Sequence, residues 1–146
     1  MNMDNKLDKT SKIAVFKGKK VRKIVYQNEW WFSINDIIEA LTDSINPAQY
    51  FKRLRQRDIE LNKLIEKGGV QFVPPLRLEF ETQGGKQKMY CWNTEGIFRL
   101  IQSVPSPKAE PFKRWLAKNA LEKKTSKKVS TDENYLDAHE NKKRIE

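Results

Sequence analysis

At 146 residues the chain has room for one domain and a tail; 38% hydrophobic residues suffice for a core, and 33% charged residues leave a heavily charged exterior. Lys and Arg number 29 against 19 Asp and Glu, and the resulting net charge of +10 attracts phosphate backbones or anionic surfaces. No run approaches the ~18 apolar residues needed to span a bilayer, and the opening residues do not read as a charged-then-apolar leader, so the expectation is a cytoplasmic protein with no membrane partner.

Met1 to Ser11 is polar and without period, and reads as a flexible N-terminal arm ahead of a domain over 12–121. Ile13–Phe16 and Val21–Tyr26 are β-branched or aromatic runs around the turn Lys17-Gly18-Lys19-Lys20, and Glu29–Phe32 follows Gln27-Asn28, which together predict a three-stranded meander. Ser33 with Asp36 three residues on resembles a capping box for a helix over Ile34–Leu41, whose Ile34, Ile37, Ile38 and Leu41 form one apolar stripe. Thr42–Ile45 is a tight polar link. Asn46 as N-cap, Pro47 at the first helical position and Gln49 at the third open a second helix running to about Ile65, with Asp58 a place where it can break and Lys67-Gly68-Gly69 its stop.

Pro74-Pro75 marks a loop. Strands resume at Leu76–Glu81 and Lys88–Trp92, joined through Gln83-Gly84-Gly85-Lys86 as a second hairpin. Asn93 or Thr94 caps a helix from Glu95 to about Gln102, and another runs from Pro107 or Pro111 to Leu121 with Phe112, Trp115 and Leu116 inward. From Glu122 charge dominates, and 122–146 reads as a charged linker or tail. The sum is an α+β fold: two antiparallel hairpins or a meander packed with about four helices, including a helix-turn-helix-like pair.

The second helix carries the most informative surface. With Tyr50 or Phe51 and Leu54 inward, Gln49, Lys52, Arg53 and Gln56 form one outward stripe with Arg55 and Arg57 alongside, and no acid lies between Pro47 and Arg57. Arg and Lys match guanine O6/N7 and phosphates, and Gln pairs with adenine N6/N7, so such a helix in a major groove could read bases; the plain alternative is a solvated face. Lys17, Lys19, Lys20, Arg22 and Lys23 form a second cluster suited to phosphates or a minor groove, or alternatively to blunting an exposed sheet edge. Lys113 and Arg114, with Lys118, are a third, either phosphate contacts or solvated surface. Trp30, Trp31, Trp92 and Trp115 could stack on bases, but each sits in an apolar run and reads as core.

Catalytic constellations are missing from this reading. His139 lies in the tail without a nucleophile or metal partner, and no glycine-rich phosphate loop appears. Cys91, the single cysteine, excludes a disulfide or a Cys-type zinc site and reads as a buried, inert thiol. Glu79 with Glu81 and Asp36 with Glu39 share faces, but read as solvated or capping acids rather than a two-metal cluster. The expectation is a non-enzymatic protein without cofactor or metal.

Trp31-Phe32-Ser33-Ile34-Asn35-Asp36-Ile37, Asn46-Pro47 leading into Tyr50-Phe51-Lys52-Arg53-Leu54, Tyr90-Cys91-Trp92-Asn93-Thr94-Glu95-Gly96, and Pro105-Ser106-Pro107-Lys108-Ala109-Glu110-Pro111-Phe112-Lys113-Arg114-Trp115-Leu116 resemble the Bro-N domain, found at the front of prophage antirepressors and viral BRO proteins. The similarity spans about Ile13 to Lys118. It implies DNA binding and a role in phage or mobile-element gene regulation, with double-stranded DNA the partner and single-stranded DNA or RNA bound by some relatives. The competing class is a protein-interaction module that sequesters a repressor.

Overall fold

A computed structural model describes residues 11–122. The arm up to Thr10, the tail from 123 and His139 lie outside the described residues.

β1 (Ser11–Phe16), β2 (Lys19–Tyr26) and β3 (Glu29–Ser33) form the expected meander. Its two turns hold Lys17-Gly18 and Gln27-Asn28 at positive φ, the geometry that matches the twist of a two-residue hairpin; at Gly18 (φ 82) the missing Cβ makes it strain-free. β1 begins at Ser11, which the sequence assigned to the arm.

The second hairpin, β4 (Leu76–Thr82) with β5 (Gly85–Asn93), does not stand apart. β3 pairs antiparallel with β5 through Trp31–Asn93, Phe32–Trp92 and Ser33–Cys91, giving one five-stranded sheet in the order β1-β2-β3-β5-β4. The adjacent strands β3 and β5 each run straight into a helix through a capping side chain. Ser33 Oγ accepts the Asp36 N–H (3.3 Å) to start α1 (Ile34–Thr42), and Asn93 Oδ1 accepts the Gly96 N–H (3.0 Å) to start what becomes α4 (Thr94–Ser103). The capping box is incomplete, because the Asp36 carboxylate turns away to Arg22 instead of reaching back to Ser33.

The second helix breaks where the sequence allowed it. α2 (Pro47–Arg57) ends at Asp58, whose side chain accepts the Leu61 N–H (3.0 Å) and so restarts the chain as α3 (Ile59–Lys67). The same carboxylate accepts from Ser103 Oγ at the end of α4, the main reason that its pKa is lowered, and lies 3.8 Å from Arg99. The break therefore gives five helices among the described residues rather than about four, and it pins the end of α2 to the body. The last, α5 (Ala109–Ala120), packs on α4 and β1.

The core centres on the sheet. Trp30, Trp31, Trp92 and Trp115 are all buried, and each indole N–H finds a carbonyl: Glu122, Tyr26, Val73 and Val15 respectively, at 2.6–3.1 Å. Burying such rings with the polar tip satisfied is what aromatic core residues require, and it removes them as stacking platforms for bases. Phe16 on β1 meets Phe112 and Trp115 on α5 edge-on at 4.6 and 5.8 Å, and those two rings lie tilted against each other at 5.0 Å. Cys91 is fully buried; desolvation pushes its thiol up to about 12, so it is no nucleophile at neutral pH. Among the described residues no helix is long and apolar enough to cross a membrane.

Candidate nucleic-acid interface

α2 contains the residues PAQYFKRLRQR. At about 1.5 Å rise per residue it is about 16 Å long. Phe51 and Leu54 are buried and anchor it to the core, with the Phe51 ring 6.1 Å from that of Tyr90 on β5. Tyr50 is half-buried. The opposite side presents Gln49, Lys52, Arg53, Gln56 and Arg57, all exposed, and none of these side chains makes a hydrogen bond or ion pair among the described residues. The helix starts on a fixed corner: Thr42 Oγ1 donates to the Ile38 carbonyl (2.8 Å), the Ser44 N–H to Thr42 Oγ1 (3.1 Å), the Asn46 N–H to Ser44 Oγ (3.1 Å) and the Gln49 N–H to Asn46 Oδ1 (3.1 Å). Shallow grooves run along both flanks. One is lined by Ala48, Phe51, Lys52, Arg55, Gln56 and Asn62, the other by Ser44, Ile45, Gln49, Tyr50, Arg53 and Arg57.

Arg55 is a correction to the sequence reading. It is half-buried, its Nε donates to Asn62 Oδ1 (2.7 Å), and its guanidinium lies 5.6 Å from the Phe51 ring and 3.9 Å from Glu66. It staples α2 to α3 instead of facing outward, because the break at Asp58 folds α3 back beside it.

The hairpin cluster divides. Lys17 and Lys20 are exposed, but Lys19 reaches Glu39 (3.7 Å) and Asp43 (3.4 Å). Arg22 is clamped by Asp36, which accepts from its backbone N–H (2.9 Å), its Nε and its Nη2 (both 2.8 Å), and this bidentate pair raises the guanidinium pKa further. Lys23, expected at a phosphate, is the clearest contradiction, since it is 0% exposed. Its ammonium lies 4.2 Å from the Trp30 ring, donates to the Asn119 carbonyl and Oδ1 at 3.3 and 3.2 Å, and pairs with Glu122. Glu122 also accepts from Lys12 at 3.1 Å, so a residue read as the first of the tail is tied into the sheet.

Lys19 has a positional consequence all the same. Asp43, at the start of the link into α2, holds both Lys19 and Lys108 (2.8 Å), which lower its pKa and fasten the β1–β2 turn beside the corner that launches α2. On α5, Lys113 is paired with Glu110 (3.2 Å), whereas Arg114 is exposed without an ion pair among the described residues. Ile45, a β-branched apolar residue inside an otherwise polar Thr42–Asn46 stretch, lies in the second of the grooves that flank α2.

Glu79 pairs across the hairpin with Lys86 (3.9 Å) and Asp36 with Arg22, and among the described residues no three His, Cys, Asp or Glu side chains gather as a metal site would need. The surface that remains is a short cationic helix with amide side chains, held on a rigid corner, suited to a polyanion of groove-like shape.

The sequence profile described as the BRO family, N-terminal domain (Bro-N) matches residues 20–122, running from the start of β2 to the glutamate that pairs with Lys23. No curated protein matches the chain, and no solved structure does. The match covers more than half of the chain, so the protein belongs to the BRO family and carries its N-terminal domain.

Proposed function

We propose that this domain binds double-stranded DNA as a non-enzymatic transcriptional regulator of the phage or prophage antirepressor kind, with α2 in the major groove. The observation that carries the reading is the acid-free α2 face, on which Gln49, Lys52, Arg53, Gln56 and Arg57 are all exposed and make no hydrogen bond or ion pair among the described residues. Major-groove readout needs donors that are not already used inside the protein, carried on an element about as wide as the groove. Lys20 near the start of β2 contributes backbone contact, and Arg114 offers a further phosphate contact from α5.

Selection of bound duplexes from a random pool tests both binding and preference. On the selected duplex, Arg53→Ala is expected to cost about 1–3 kcal/mol and to relax preference at one base pair, whereas Lys20→Ala should weaken every duplex alike. Equal losses on all sequences for Arg53→Ala would demote that residue to a backbone contact. A pool that yields no enriched sequence, together with a partner protein that survives nuclease treatment, would favour repressor sequestration over DNA binding.

A further inference from the structure

The chain contains an apolar side chain for which the fold has no use. Ile45 is 102% exposed, so it buries nothing against the core. Single exposed apolar residues are ordinary on protein surfaces. Two observations set this one apart.

The first is its frame. Ser44 and Asn46 on either side each donate a backbone N–H to a side-chain oxygen of the link, and Asp43 donates its N–H to the Glu39 carbonyl (2.8 Å) while its carboxylate holds Lys19 and Lys108. A β-branched side chain on a backbone tied in this way has little rotamer freedom left to lose on contact. The second is its neighbourhood. Ile45 lines one groove with Gln49, Arg53 and Arg57, spaced at four-residue intervals along the entry and the helix, with Tyr50 beside them. The groove thus combines hydrogen-bond donors with one apolar tip at the N-terminal end of α2, where groove-reading helices meet base edges.

The major-groove edge of a base pair offers few apolar groups, and the thymine 5-methyl is the prominent one. Resting on the DNA-binding reading above, we infer that Ile45 is a specificity-determining residue that packs against a thymine 5-methyl group beside the bases contacted by Gln49 and Arg53.

The test uses the full chain and its selected duplex, with each thymine replaced in turn by deoxyuridine, which removes the methyl and leaves pairing intact. At one position, or its symmetry mate, wild type should lose about fourfold in affinity, the worth of one buried methyl group. Ile45→Ala should bind the thymine duplex correspondingly less well and be indifferent to the replacement, while Ile45→Val keeps most of the discrimination. Because the side chain is fully exposed, thermal midpoints of the variants should match wild type. Enriched binding with no methyl dependence, or the same dependence in wild type and Ile45→Ala, overturns this inference and leaves the DNA-binding reading standing. A change of oligomeric state in Ile45→Ala would overturn it too, assigning the residue to a contact between copies. Failure to bind any duplex overturns both.

Discussion

Glu122→Gln is expected to lower the stability of the domain by about 3–5 kcal/mol, although the residue opens a charged stretch of sequence without apolar period. Lys23 is sealed under Trp30 and α5 with no route to water, and Glu122 is the one carboxylate it contacts among the described residues. Removing that charge strands a buried ammonium, which costs far more than an exposed pair is worth. Lys23→Met should cost much less, because Glu122 keeps Lys12 at 3.1 Å and the desolvation of Lys23 disappears. The pH dependence separates this account from simple loss of packing. Burial drives Lys23 from its ordinary 10.5 down to about 8, with Glu122 pulling the other way. The unfolded chain keeps that proton to about pH 10.5 while the folded chain releases it above about pH 8, so across that window the unfolded state binds more protons and this group adds stability as pH rises. Without Glu122 release begins at lower pH, and the deficit of the variant should narrow as pH rises. The narrowing should fall below about pH 8, where the variant releases the Lys23 proton and wild type still holds it, so chemical denaturation of the three proteins from mildly acidic pH to about pH 8 checks it; equal losses for both variants, independent of pH, would contradict it.

Gly96→Ala is expected to cost about 3 kcal/mol or more, or to prevent folding. Gly96 lies in the first turn of α4 flat against the fully buried Trp92 indole, and an added Cβ would fall inside the ring system. The indole cannot yield, because its N–H is bonded to the Val73 carbonyl and its edge is enclosed by the core. In an exposed helix the same change would be stabilising, so here crowding reverses the sign of propensity. The melting temperature of Gly96→Ala, measured against Gly84→Ala in the open β4–β5 turn, checks this. A variant as stable as wild type would show that the α4–β5 packing is looser than described.

What the sequence made legible follows from range. Ser33, Asn46 with Pro47, and Asn93 declare three helix starts because a cap acts within four residues, and the apolar stripe of α1 is likewise local. The β3–β5 pairing that fuses two hairpins into one sheet joins residues some sixty apart, and nothing local encodes it. Lys23 was misplaced for a different reason. Alternation along β2 puts Val21, Lys23 and Val25 on one face, so the period-2 pattern points the lysine inward while its charge alone points it outward. Arg22 and Arg55 were read as free because their partners, Asp36 and Asn62 with Glu66, come into reach only once α1 and α3 are folded. The outward stripe of α2 survived because it depends on helix period alone.

That stripe bears the functional account, and the salt dependence of duplex binding tests it most directly. With Lys20, Lys52, Arg57 and Arg114 neutralising phosphates, the logarithm of the association constant should fall against the logarithm of salt concentration with a slope of about −3 to −4. Changing Lys52, Arg53 and Arg57 together to alanine, all exposed and outside the core, should flatten that slope by nearly two units, from Lys52 and Arg57, while the fold persists. A slope near zero in wild type, or an unchanged slope in the triple variant, would contradict the assignment of α2 as the DNA-binding surface.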